Sequence, residues 1–193
     1  MSWLVLGLLV FLGAHSVRIV ADDWRTAQLA RLGEARWKGV YSLVSAIGLG
    51  LIIWGYGQAR GAPVALWPSP TWTRHLAALL TLPAFILLVA AYLPGSHIKA
   101  KVGHPMVEGV KLWAIAHLLA NGNLADLLLF GSFLAWAVAD SIAARRRDRR
   151  DGRHHTVCCW TRDATVVAVG LLVWMLFALW GHVWLIGVAP FRV

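Results

Sequence analysis

The chain has 193 residues, is 59% hydrophobic, and carries a formal net charge of +9 with a mean hydropathy of +0.65. Its length suits one compact unit, and its composition excludes an ordinary soluble domain, whose core cannot bury so many long uncharged runs. The positive charge raises a nucleic-acid reading, which depends on where the charge lies.

The first apolar span runs over residues 3–20 and is interrupted only by His15, Ser16 and Arg18 near its end. No Lys or Arg precedes it, so it lacks the basic leading region of a cleaved signal peptide and reads as a retained span. Residues 21–38, with Arg25, Arg31, Arg36 and Lys38, form a polar connection expected to be a short surface helix. Residues 40–57 are the second span, and residues 75–93 the third, with Pro83 expected to kink it. Residues 106–119 are a short fourth span, tilted or enclosed by its neighbours. Residues 124–144 are the fifth, joined to the fourth by so tight a turn at Asn121, Gly122 and Asn123 that the two form an antiparallel hairpin. Residues 164–188 are the sixth, long enough to cross with tilt. Many of the 12 tryptophans, among them Trp3, Trp24, Trp37, Trp54 and Trp160, stand near the ends of apolar runs, where indole rings favour the membrane interface. The expected fold is all-α: a polytopic membrane bundle of about six transmembrane helices, with residues 145–163 as a basic loop.

Charge orients it. If the N-terminus is outside, every Lys and Arg falls in an inside connection except Arg60, Arg74 and Arg192. The positive-inside rule therefore selects N-out and C-out in a bacterial inner membrane. The run RRRDRRDGR (145–153) then needs no nucleic acid; it serves orientation and anionic lipid headgroups. Small residues repeat every four positions at Gly131, Ala135, Ala139 and Ala143, and again at Ala46 and Gly50. Such stripes let helices approach closely, within one chain or between copies in a homo-oligomer.

The stretch GHPMVEGVKLWAIAHLLANG (103–122) concentrates the chemistry. Pro105 suits the first turn of a helix, where its missing N–H is no loss. Glu108, Lys111, His117 and Asn121 follow inside a mostly apolar segment, where ionisable groups are costly and hence functional candidates. Of eight histidines, His15, His117 and His182 lie within apolar helices; His75 and His97 stand at span boundaries. Neutral imidazole is a common ligand for haem iron and other transition metals, with its second ring nitrogen held by a hydrogen bond. A packing histidine bonded to a neighbouring Ser or carbonyl is the plainer alternative. Ala114 stands one turn before His117, and Gly7 and Phe11 share the face of His15, leaving room for a flat macrocycle. Arg18, one turn beyond His15, could meet a propionate. Depth separates the candidates: His15 lies near the inner end of its span, whereas His117 and His182 lie near outer ends, so depth favours pairing His117 with His182.

Other groupings are weaker. Glu108 and Lys111, one turn apart and on the side of His104, suggest an ion pair or an acid–base site at the cytoplasmic mouth. His154, His155, Cys158 and Cys159 crowd one loop with ligand-like chemistry but without the spacing of a zinc module. No phosphate-binding glycine loop or serine nucleophile elbow is present, so ATP-driven and hydrolytic chemistry have no support.

FLGAHSVR (11–18), LGEARWKGVYSLVS (32–45), GHPMVEGVKLWAIAHLLANGNLADLLLFGSF (103–133) and HVWLIGVAPF (182–191) together give the chain a resemblance. It resembles the NnrU family of multi-pass membrane proteins, related to the plant and cyanobacterial zeta-carotene isomerase. The resemblance implies an inner-membrane protein and, through the isomerase branch, haem b, with His15 and His117 in the positions associated with its iron. The isomerase has a cysteine one turn before the second histidine, and Ala114 stands there instead, which departs from ligand switching of that kind. The HPM segment is also distantly similar to the His-Pro motif of isoprenylcysteine and phospholipid methyltransferases.

Three readings follow. The first is a haem-b protein acting in redox-gated isomerisation of a hydrophobic polyene or in electron transfer. The second is a non-catalytic accessory protein of denitrification with a respiratory partner. The third is a methyltransferase-like enzyme binding S-adenosylmethionine near His104 and Glu108. No residue is assigned to catalysis itself.

Overall fold

A computed structural model of the protein describes residues 1–153 and 159–191. The described residues are helical almost throughout: α1 (Ser2–Val20), α2 (Asp22–Leu32), α3 (Glu34–Gly61), α4 (Thr71–Tyr92), α5 (His97–Val102), α6 (Pro105–Ala120), α7 (Leu124–Asp151), α8 (Trp160–Leu176), a π-helical turn (Phe177–Gly181) and α9 (His182–Ile186). Five helical segments are long and apolar enough to cross a membrane: α1, α3, α4, α7 and the Trp160–Ile186 segment. The expected fourth span is α6, whose 16 residues extend only about 24 Å, short of a hydrocarbon core of about 30 Å. It is enclosed between α4 and α7.

Local chemistry explains the breaks. Gly33, at φ +78, separates α2 from α3 in a conformation that a side chain would strain. The α6–α7 turn is fixed by a capping box in which Asp126 accepts from the Asn123 backbone N–H (3.1 Å) while the Asn123 side chain receives the Asp126 N–H. Backbone bonds from Leu66 N to Gly122 O (2.8 Å) and from Leu124 N to Val64 O (2.8 Å) staple the 62–70 connection to that turn. Arg60 donates to the Ile186 carbonyl at the same end (2.6 Å). At the opposite end Arg147 donates to the Arg18 carbonyl (3.2 Å), and His97 pairs with Asp163 (2.6 Å). The start of α1 and the end of α9 thus lie at one end of the bundle and the basic connections at the other.

Two sub-bundles meet at α7. On one side α1 and α3 run antiparallel in backbone contact: a Cβ on Gly7 would sit 2.6 Å from Ile52 N, one on Gly48 would sit 2.8 Å from Phe11 N, and one on Gly55 would strike the Leu4 backbone. On the other side α4 is held between Gly109 of α6, where a Cβ would lie 2.9 Å from the Ala84 carbonyl, and Gly170 of α8, where it would lie 2.8 Å from Ile86 Cα. Among the described residues the α1 and α6 backbones do not approach each other. Side chains fill the space between, with Leu4, Leu8, Ala114 and Phe130 in one buried cluster.

Several expectations are corrected. The small-residue stripe on α7 is largely uncovered by the described residues: Ala135 and Ala139 are exposed, Ala143 is half-buried, and a Cβ on Gly131 would meet a Leu127 methyl at 3.7 Å. Ala46 and Gly50 are likewise exposed, and Gly7, Gly48 and Gly55 make the close approach instead. The arginine run is not a loop from its start, because α7 stays helical to Asp151, ended by Gly152 in the left-handed region. The last span starts at Trp160, passes through the π turn and ends at Ile186, before Gly187 at φ +74.

Candidate functional site

Along α7 the aromatic side chains act as a depth scale. Phe130 stacks on His117 (4.6 Å between ring centroids) and meets Trp113 edge-on (5.0 Å). Phe133, nearly one turn on, meets both Trp113 (5.6 Å) and Phe11 (5.7 Å). Trp136 meets His15 edge-on (5.9 Å), and Ser141 donates to Glu108 (2.8 Å). From Phe130 to Trp136 the helix rises roughly 9 Å. His117 and His15 therefore sit at different depths, with Phe11, Phe133 and Trp113 stacked between them. His15 is not among the residues that line the cavity beside His117.

His117 and His182 instead share a cavity. It encloses about 670 Å³ between α4, α6, α8 and the chain after α9, a size typical of small-molecule sites. Its α4 wall runs from Arg74 to Leu88, which spans roughly 21 Å of helix. Trp113, Phe85, Phe133, Trp174 and Phe177 supply aromatic walls. Trp174 Nε1 donates to Thr81 Oγ1 (3.1 Å), tying α8 to α4, and Phe177 packs on Phe85 (5.5 Å). The π turn places both Phe177 and Ala178 on the cavity and sets the rotation of His182, which follows it. Single π turns inside α-helices are frequent at functional sites.

The three intramembrane histidines are held alike. Nδ1 of His117 donates to the Trp113 carbonyl (2.9 Å), Nδ1 of His15 to the Phe11 carbonyl (2.7 Å), and Nδ1 of His182 to the Val188 carbonyl (2.7 Å). A carbonyl can only accept, so in each neutral ring the proton sits on Nδ1 and Nε2 keeps its lone pair. In that tautomer Nε2 can bind a metal ion, and the Nδ1–H bond to the carbonyl fixes the orientation of the ring. His182 also draws the chain end over the cavity, where Val188, Pro190 and Phe191 form part of the lining. Arg74 stands at the far-end mouth, with no carboxylate partner among the described residues.

The remaining sequence candidates are placed elsewhere. His15 stacks on Phe11 (4.1 Å) beside Tyr41 (5.2 Å), and the nearby Trp136 Nε1 is buried without a hydrogen-bond partner among the described residues. Arg18 lies at the basic end near Asp22 (3.9 Å) and does not line the His117 cavity, whose lining includes Arg74. Glu108 is engaged by Lys111 (2.9 Å), Arg145 (2.9 Å) and Ser141, and His104 pairs with Asp148 (2.7 Å). His154, His155 and Cys158 lie outside the described residues, and Cys159 accepts from Thr161 (3.0 Å). Among the described residues no three His, Cys, Asp or Glu side chains cluster as metal ligands.

Sequence reasoning did not find Arg74, the Trp174–Thr81 tie or the π turn, for which the chain carries no local pattern. The buried Asp126, which accepts from Tyr56 OH at 2.5 Å, was legible as the third residue of a capping box.

No curated protein and no solved structure matches the chain. The family model described as NnrU protein matches residues 3–190. With nearly every helix covered by that match, the chain belongs to the NnrU family.

Proposed function

We propose that this NnrU-family protein holds haem b in the α4–α6–α8 cavity, where His117 and His182 would hold its iron, in a bacterial inner membrane. One observation carries the reading: two histidines line one apolar cavity, each with Nδ1 bonded to a carbonyl and Nε2 left as a lone pair. The other residues suit the group. Aromatic rings supply flat walls that exclude water, and the Arg74 guanidinium at the mouth matches a propionate. Bound there, haem supplies a one-electron redox centre whose potential the surrounding rings and burial tune. Redox-gated isomerisation of a polyene and electron transfer to a respiratory partner are the two activities such a centre would serve. An accessory role in denitrification without a bound group is the alternative, and the same experiment separates it.

The experiment is an absorption spectrum of detergent-purified protein, oxidised and dithionite-reduced, beside His117→Ala, His182→Ala and His15→Ala. The expected result is a Soret band with a redox shift that is weakened in the first two variants and kept in the third. Loss in His15→Ala and His117→Ala, with retention in His182→Ala, would restore the pairing implied by the family resemblance and overturn the cavity assignment. A featureless spectrum after haem reconstitution removes the cofactor and favours the accessory role.

A further inference from the structure

A second concavity lies at the basic end, on the opposite side of α7 from the haem cavity's α6 wall, and plays no part in the reading above. It encloses about 470 Å³ between the last turn of α1, the start of α2 and the final turns of the membrane part of α7. Four guanidinium groups, from Arg18, Arg146, Arg147 and Arg150, line it with a single carboxylate, Asp22. The acids nearby engage this set only in part. Asp22 lies 3.9 Å from both Arg18 and Arg25, Asp140 lies 3.8 Å from Arg147, and Asp151 takes Arg150 at 3.0 Å. Arg146 has no carboxylate partner among the described residues, so the groove keeps a net positive charge.

The floor of the groove is chemically different. Ile19, Ala139, Ile142 and Ala143 line it, with Ala139 and Ile142 exposed and Ala143 half-buried beside the end of α1. One wall therefore offers bidentate donors suited to phosphate oxygens, and the adjoining wall offers an apolar surface of Ile19, Ala139, Ile142 and Ala143. A free anion would use only the first, and a nucleic acid has no use for the second. Basic pockets between membrane helices at the charged face are suited to anionic lipid headgroups. We infer that this groove seats one anionic phospholipid, its phosphate between Arg18, Arg146 and Arg150 and an acyl chain along Ala139 and Ala143.

The test is native mass spectrometry of the detergent-solubilised full chain after exchange into nanodiscs of phosphatidylcholine alone or of equal parts phosphatidylcholine and phosphatidylglycerol. Wild type should retain phosphatidylglycerol selectively. Arg146→Ala/Arg150→Ala should lower that retention about tenfold or more. Ala139→Leu, which fills the floor and keeps every charge, should lower it as well. Arg31→Ala/Arg36→Ala removes the same charge from outside the groove and should leave retention unchanged. Equal loss in both double variants would reduce the effect to general surface charge and overturn the site. Displacement by inorganic phosphate as readily as by phosphatidylglycerol would overturn the lipid assignment. Should Arg146→Ala/Arg150→Ala unfold, Arg146→Lys/Arg150→Lys keeps the charge while removing the bidentate fork, and unchanged retention there would overturn the headgroup geometry.

Discussion

His117 lies flat against Phe130, with ring centroids 4.6 Å apart and planes 28° from parallel, and this contact anchors the imidazole to the first third of α7. Phe130 is 5% exposed and also touches Trp113 and Tyr56. Phe130→Ala should destabilise the protein by about 3–5 kcal/mol, because the vacated volume is enclosed on several sides. Thermal unfolding in detergent reads this directly, and a cost under about 1 kcal/mol would show that the ring is not part of a packed core.

The α1–α3 seam gives a paired prediction. Gly7→Ala forces a methyl against the Ile52 backbone and should cost about 1–3 kcal/mol. Gly50→Ala, on the same helix pair but facing open space, should be neutral or stabilising by up to about 1 kcal/mol, since alanine favours the helix. Equal effects would mean that the seam lies elsewhere on these helices.

Asp126 is a clamp between elements. It accepts from Tyr56 of α3 and from the Asn123 backbone and amide, and it is 3% exposed. Asp126→Ala leaves those donors unserved and should cost about 2–4 kcal/mol. Tyr56→Phe leaves the cap in place and should cost about 1–2 kcal/mol. Both are read as shifts in the unfolding midpoint, and reversal of their order would contradict the capping role.

Glu108 gathers Lys111, Arg145 and Ser141 where the side chains of Glu108 and Lys111 are 20% and 21% exposed. Glu108→Ala strands the Lys111 ammonium and should destabilise by about 3 kcal/mol, whereas Glu108→Ala with Lys111→Met should recover much of that loss. A double-mutant cycle measures the coupling. If the pair is structural, S-adenosylmethionine binding by calorimetry should be absent in wild type; binding that is lost in Glu108→Ala would instead support the methyltransferase-like reading.

Sidedness follows from charge alone and can be mapped by thiol labelling. In a Cys158→Ser/Cys159→Ser background, Ala62→Cys should react with a membrane-impermeant maleimide added outside intact cells, and Ala27→Cys only after lysis. Both positions are exposed and lie at opposite ends of the bundle. The reverse pattern would place the basic end outside.

Hydropathy, end charges and turn formers were enough to place α1, α3, α4, α6 and α7 to within a few residues at most boundaries and to predict the α6–α7 hairpin at Asn121–Gly122–Asn123. Those features act over one turn or one span, so they are written into consecutive residues. Depth along the spans favoured His117 with His182, but which histidines line one cavity is settled by packing. The axial offset of His15 from His117 depends on how α1 and α6 each seat against α7, and the rotation of His182 depends on the π turn before it. The same holds for glycine. Gly50 and Gly131 carry the small-residue spacing that permits close approach, yet Gly7, Gly48 and Gly55 make it, because which face of a helix turns inward is decided by its neighbours. A single chain segment encodes its period and its polarity; the rotation and depth of one helix against another arise only when both are packed.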